Sequence, residues 1–362
     1  MDDLDRRWLE SFITQPVSAL PFITPELPGI GGQIKATPAH FVVQEMPLYE
    51  PAGEGDHVYV CLTREGWTTR DLQRRLADLF GLREVDVGCA GLKDKQARAT
   101  QVLSLLLPRA DEGQVKQRIQ DALPVEIEWV RRHRNKLRAG HLLGNIFRIV
   151  ILYPNPNALA MAKLIAQELE RHGVPNYYGA QRFGLQADNA LRGRQVLFGR
   201  GPHERWVKRF LLAAYQSALF NAYLAARIQQ GWFEQLLIGD VAKKLDTGGL
   251  FDVLDLSLEE PRFERREITY TGPIYGSRMR RAEGQPGTLE QAVLSAADLT
   301  PDMLGRARLE GSRRAARLFP WRLALDPHPE GVSIELALPK GAYATTVLRE
   351  FIKGAVTVLP EE

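Results

Sequence analysis

Few residues of this chain have a type and spacing that could do chemistry. In AGLKDKQARATQ, residues 90–101, Asp94 stands between Lys93 and Lys95 in a glycine-containing turn just ahead of a strand pattern. A carboxylate in that place is either a turn residue that bonds its own backbone or a base or nucleophile. Residue type alone leaves both open. Other chemistries lack their residues. No GxxxxGK followed by Ser or Thr offers a phosphate cradle, and no GxGxxG follows a strand. The seven histidines (40, 57, 133, 141, 172, 203 and 328) form no HExxH or paired metal spacing, and Cys61 and Cys89 are not a CxxC. GxSxG is missing as well. Hydride transfer, metal-dependent hydrolysis and serine acyl transfer are disfavoured, and neither metal nor cofactor is expected.

Whatever chemistry Asp94 performs must be held in place by a fold of adequate size. The chain has 362 residues, which at roughly 150 residues per domain predicts about two domains. A chain of this length buries about three quarters of its unfolded surface and needs no disulfide or metal staple. Two cysteines are too few for a secreted disulfide framework. No apolar run approaches the ~18 residues of a membrane span, and the start MDDLDRRWLE does not read as a signal peptide. The expectation is a soluble, cytoplasmic protein, monomeric by default, with no obligate protein partner.

The net charge of +3 hides an uneven distribution. Residues 1–57 hold three basic residues against nine acidic, whereas 124–182 hold nine basic against four acidic. RRHRNKLR (131–138) places Arg131, Arg132, Arg134, Lys136 and Arg138 within eight residues. Further clusters are Arg205/Lys208/Arg209, Arg278/Arg280/Arg281 and Arg313/Arg314/Arg317. Basic density with modest net charge suits a polyanion contacted on one face; a solvated surface is the plainer alternative.

HVYVCLT (57–63) alternates, predicting a half-buried strand with Val58, Val60 and Leu62 inward. TTRDLQRRLADLFGL predicts a helix capped by Thr68 or Thr69, with Leu72, Leu76 and Leu79 at helical spacing and Gly81 as the stop. TQVLSLLL (100–107) and NIFRIVILY (145–153) predict strands, and ALAMAKLIAQELERHG predicts an amphipathic helix ended by Gly173. VSIELAL (332–338) and AYATTVLREFI repeat the strand–helix pattern. Between about 173 and 317 a long helix (206–230) leads into a stretch read as loop-rich, with Gly272, Gly276, Gly284 and Gly287. A strand resuming only after this block is the mark of an inserted domain. The predicted division is 1–172 and 318–362 for the host and 173–317 for the insertion.

Around the Asp94 turn other motifs recur: LPGIGGQIKATPAHFVVQE with Lys35 and Phe41, GNIF with Asn145 and Phe147, VPNYYGAQRFG (174–184) and LPKGAYATTVLRE (338–350). With these the chain resembles the TruD family of tRNA pseudouridine synthases, marked by a GxKD turn, an NxF segment, PNYFGxQRFG and a terminal LPxGxxAT…RE. The motifs appear here as Gly91–Asp94, Asn145–Phe147, Pro175–Gly184 and Leu338–Glu350, in the family's order across residues 30 to 352. The resemblance implies an α+β fold. Its catalytic domain is a mixed, largely antiparallel pseudouridine-synthase sheet with helices, interrupted by an inserted α/β TRUD domain. The implied activity is cofactor-free isomerisation of uridine, at position 13 in the D arm of tRNA.

The resemblance makes Asp94 the nucleophile or base, with Lys35 as the cation that keeps it ionised against burial and RNA phosphates. Phe147 becomes the platform for a flipped base, Phe41 and Asn145 substrate-binding positions, and Tyr343 stands where the family is expected to show Phe. On residue type alone Phe41 and Phe147 are equally core aromatics, and Asn145 a turn residue. His40 replaces the usual acidic residue, pointing opposite to Phe41 on a strand. Arg131, Arg132, Arg134, Arg182, Arg278, Arg280 and Arg281 are candidate RNA contacts, although Arg182 with Tyr177 and Tyr178 reads more readily as fixing a domain junction. Two other classes stay in view. One is a non-catalytic RNA-binding protein on the same scaffold. The other is an RNA glycosidase or nuclease, which wants a second carboxylate or a metal.

Overall fold

The structure, a computed structural model, describes residues 6–34, 37–184 and 186–354. The chain forms two compact units. One comprises the described residues of Ile30–Lys163 together with Pro320–Ala344; the other takes the described residues before Ile30, those of Leu164–Phe319 and those from Thr345 to residue 354. Described residues from both sides of the first unit's two segments thus join the second unit.

After a short helix α1 (Arg6–Thr14) in the second unit, the first unit supplies β1 (Phe41–Pro47) and β2 (His57–Arg64). Helix α2 (Thr69–Phe80) starts where Thr68 and Asp71 bond reciprocally as a capping box, and stops at Gly81, which is left-handed. Then come β3 (Gly88–Cys89), β4 (Arg98–Leu106), α3 (Glu112–Ala122), β5 (Glu126–His133), β6 (Leu142–Leu152) and α4 (Ala158–His172).

The second unit continues with β7 (Val174–Pro175), α5 (Asn189–Leu197), α6 (Arg205–Gln229), β8 (Val241–Lys244) and β9 (Leu250–Asp252). It ends its main run with α7 (Leu256–Glu264), β10 (Ile268–Ile274), α8 (Gly284–Ala296), α9 (Pro301–Arg306), β11 (Ser312–Ala315) and β12 (Arg317–Leu318). The hairpin β13 (Arg322–His328) and β14 (Gly331–Pro339) returns to the first unit, and α10 (Ala344–Ile352) follows.

The first unit is built on one sheet in the order β13-β14-β6-β1-β4-β2-β5, with β3 added on β4. All its pairs are antiparallel except β1 with β4. Val58, Val60 and Leu62 of β2 pack with Leu103 and Leu105 of β4 beneath Leu72 and Leu76 of α2 and Val115 and Ile119 of α3. The opposite face is covered too: Tyr59 and Cys61 join Val102, Leu137 and Leu142 in a second cluster. β2 is therefore buried on both faces rather than half-buried, because the 137–142 segment covers the side that alternation assigned to solvent.

In the second unit α6 is buried almost all round from Ser217 to Arg227 and is the axis of the core. It packs with α1, α8 and an antiparallel sheet ordered β11-β10-β8-β9. The stretch expected to be loop-rich is strand and helix: Gly272 lies in β10, and Gly284 and Gly287 lie in α8. A side chain at Gly272 would meet the Phe220 and Tyr223 rings of α6 within 3 Å, so this glycine serves close packing. The terminal RE of the LPKGAYATTVLRE motif also serves the fold. The buried Glu350 carboxylate accepts from Ile23 N at 3.2 Å and from Lys353 Nζ at 3.2 Å, and Arg349 donates to the Pro21 carbonyl. At the centre of the unit the Arg227 guanidinium meets the Asp240 carboxylate through two bonds of 2.7 and 2.8 Å, with both side chains fully buried.

Removing one partner strands a buried charge, at a cost of about 3–5 kcal/mol. Asp240→Ala is expected to destabilise this unit by that amount in urea denaturation. The apolar pair Arg227→Met/Asp240→Leu is expected to recover most of the loss in the same measurement.

Candidate active site

The Asp94 turn is the segment that leads into β4, and three anchors hold it. The Lys93 amide donates to Thr69 Oγ1 at 2.9 Å, and Thr69 Oγ1 in turn donates to Gln101 Oε1 at 3.0 Å. The Lys93 ammonium is buried against the Glu45 carboxylate of β1 in a short ion pair. Glu45 also accepts from Val102 N at 3.3 Å. Finally, Arg64 Nη1 at the end of β2 donates to the Asp94 carbonyl at 2.7 Å. Two strands and a helix start thus grip the backbone on either side of one residue. Lys93 is buried between exposed Leu92 and Asp94, and Lys95 is exposed as well. The Asp94 carboxylate accepts from Gln96 N at 3.4 Å, a turn contact as the residue type allows.

The β1–β6 register sets the rest. Glu45 lies opposite Asn145, Val43 opposite Phe147, and Phe41 opposite Ile149. On the far side of β6, Leu338 of β14 lies opposite Asn145. Phe41, Glu45, Asn145 and Phe147 therefore occupy neighbouring positions on adjacent strands, with the Phe41 and Phe147 rings edge-to-face at 6.3 Å. Phe147 is 9% exposed, so most of its ring is packed. Asn145 Oδ1 is buried with no hydrogen-bond partner among the described residues, an acceptor that native proteins rarely leave unmet. Tyr343 is half-buried in the turn between β14 and α10, where Lys340 bonds back to Leu143 O and Gly140 O at 2.9 and 3.0 Å. Lys35 lies outside the described residues.

The candidate arginines divide sharply. Arg132 is spent on the carbonyls of Gly55, Pro108 and Ala110, and Arg134 pairs with Glu54. Arg280 grips Asp252 with bonds of 2.8 and 2.6 Å and also the Leu250 carbonyl. Arg182 bonds Ser217 Oγ at 3.1 Å. Beside it, the Tyr178 amide and carbonyl are clamped by the Asn221 side chain, so the NYYGAQRFG segment acts as scaffold. Arg131, Arg278 and Arg281 are exposed, with Arg278 at only 3.9 Å from Glu310. The Arg313/Arg314/Arg317 cluster is internal: Arg313 pairs with Glu290, Arg314 bonds Asn176, and Arg317 bonds the His172 carbonyl. Among the described residues no three His, Cys, Asp or Glu side chains converge as metal ligands, and no helix is long and apolar enough to cross a membrane.

Sequence reading missed Arg64, Glu45 and Thr69. A signal existed for Glu45, since strict alternation puts it on the inward face with Phe41 and Val43, where a charge needs a partner. None existed for Arg64 or Thr69, whose neighbours are fixed only by the fold.

Comparison with known proteins decides the family. The family model described as tRNA pseudouridine synthase D (TruD) matches residues 20–201 and 203–351. The chain belongs to the TruD family. It is 43% identical over 353 residues to a tRNA pseudouridine synthase D of Anaeromyxobacter dehalogenans strain 2CP-C, covering 95% of this chain and 99% of the relative. It is 42% identical over 336 residues to a tRNA pseudouridine synthase D of Thermus thermophilus, covering 92% of each. A crystal structure of a putative TruD protein from Methanosarcina mazei shares the fold, with a TM-score of 0.74 at 23% identity over 93% of this chain and 97% of that one. The α+β, mainly antiparallel architecture is thus that of TruD.

Thr69→Val removes the acceptor of the Lys93 amide and leaves that amide buried and unmet. Such a loss costs about 1–3 kcal/mol, so amide exchange at Lys93 is expected to quicken about tenfold or more, with α2 unaffected. Hydrogen exchange read residue by residue checks this.

Proposed function

We propose that this TruD-family enzyme isomerises uridine to pseudouridine in tRNA, with uridine 13 of the D arm as target and Asp94 as its reacting carboxylate. The observation that carries the reading is the Asp94 turn: a carboxylate exposed at the tip of a segment whose backbone is fixed on both sides. The isomerisation breaks the bond from ribose C1′ to N1 and makes one from C1′ to C5; the C5 proton is lost and N1 gains one. An ionised carboxylate serves as nucleophile or base in that sequence, and holding it beforehand spares ordering it during the reaction. Half-buried Tyr343 and the uncovered edge of Phe147, with Phe41 packed beside it, are read as the aromatic surface for a flipped uracil, and stacking offsets much of the few kcal/mol that flipping costs. The unmet Oδ1 of Asn145 would accept from a uracil N–H or a ribose hydroxyl. Lys35 is read as the cation that keeps Asp94 ionised. The second unit is read as the inserted TRUD domain, with Arg278 and Arg281 reaching RNA phosphates.

The geometry weighs against a glycosidase. Such an enzyme wants a second working carboxylate, and the acid that the fold brings nearby, Glu45, is buried and neutralised by Lys93.

With tRNA transcripts carrying 5-tritiated uridine, wild type is expected to release tritium and Asp94→Asn to release none, both binding tRNA alike. Equal release by the two proteins would remove Asp94 from the chemistry. Release by neither, with tight binding of an authentic substrate, would point to the non-catalytic RNA-binding class.

The double variant Arg278→Ala/Arg281→Ala is expected to weaken tRNA binding and lower its salt slope by about one for each phosphate no longer neutralised. Arg280→Ala should leave the slope alone, because Asp252 already holds that side chain. Binding titrations at several salt concentrations distinguish the two.

A further inference from the structure

Beneath the Asp94 turn lies a buried cation that the pseudouridylation chemistry as read above does not use. Arg64 ends β2 and is 1% exposed. Its Nη1 holds the Asp94 carbonyl at 2.7 Å, while Nε and Nη2 are buried with no hydrogen-bond partner among the described residues. Among the described residues no carboxylate pairs with it. Burial pulls its pKa down, and Asp94, then Asp71 of α2, oppose that through space. The other charged groups on the surrounding elements are committed or outward. Lys93 is bound to Glu45 of β1, Lys95 is exposed in the turn, and Arg98 at the start of β4 is held by Glu65 and Glu126.

An unpaired buried guanidinium costs several kcal/mol, and a neutral amide would hold a carbonyl as well. The hydrogen bond alone therefore does not account for a charge at this position. We propose that Arg64 is a positioning residue for Asp94, fixing its peptide through the carbonyl and adding to Lys35 a second positive charge, from inside the fold, that helps keep its carboxylate ionised among tRNA phosphates. This rests on the reading of Asp94 as the reacting group. From inside the fold, screened little by salt, the charge acts on that carboxylate whether or not RNA is bound.

The test compares wild type with Arg64→Gln, Arg64→Met and Arg64→Lys in tritium release across pH, with melting temperature and tRNA binding measured on each. Arg64→Gln keeps a donor but not the charge. It is expected to lower kcat tenfold or more at neutral pH with KM within twofold, and to move the acid limb of the rate profile up by about one pH unit, the lower end of a nearby opposite charge's influence. Arg64→Lys keeps the charge and should keep the wild-type limb. Arg64→Met fills the same apolar space and serves if the glutamine variant does not fold. A wild-type acid limb in either folded neutral variant, whatever its rate, overturns the proposal. Asp94→Asn run alongside separates the two readings. If it is inactive while the neutral Arg64 variants keep the wild-type limb, only this inference falls. If it works at the wild-type rate, the reading of Asp94 falls and takes this one with it.

Discussion

The arrangement of the candidate site depends on the buried ion pair between Lys93 and Glu45. Taking two charges out of water costs several kcal/mol for each, returned only if geometry and further hydrogen bonds are good. Here the further bonds exist, as Glu45 also receives the Val102 amide and the Lys93 backbone is tied to Thr69. The pair fixes direction as well as energy. It draws Lys93 into the sheet, while Leu92 before it and Asp94 and Lys95 after it stay exposed.

Much of this fold is legible in the sequence because its signals are local. The capping box at Thr68, the stop at Gly81, the alternation in 332–338 and the helix from 158 to 172 depend on residues a few positions apart, and each appears within a residue or two of its expected place. Alternation misjudges the second face of β2 because that face is decided by Leu137 and Leu142, some eighty residues on. The glycines near 272–287 mislead for a related reason: a glycine that admits an aromatic ring from another element looks in sequence like one that permits a turn. At the site, the motif residues are visible but their supports are not. Arg64 reads as the polar end of a strand until the fold sets the Asp94 carbonyl over it.

Basic residues show the same gap between composition and placement. Counted along the chain they suggest a broad RNA-binding face, yet Arg64, Arg227, Arg313, Arg317 and Arg349 are internal parts. Arginine suits this use, because its planar fork meets several carbonyls at once and its face stacks on rings, as Arg227 does over Tyr270 at 3.7 Å. The local charge of a segment is therefore a poor measure of its outward field. RRHRNKLR keeps Arg131 and Arg138 exposed, while Arg132 and Lys136 are bound to carbonyls and Arg134 to Glu54.

The same logic explains why the turn is held from three elements rather than one. Fixing a residue's backbone costs about 1–2 kcal/mol in entropy, and a catalytic group ordered only when substrate arrives adds that cost to the barrier. In this chain the ordering is completed on folding by β1, β2 and the start of α2, of which β2 and α2 pack into the unit's main apolar core. On the proposed reading, a carboxylate so placed needs no rearrangement to meet a flipped base and has only to remain charged, which gives the buried Arg64 guanidinium a physical reason to be there.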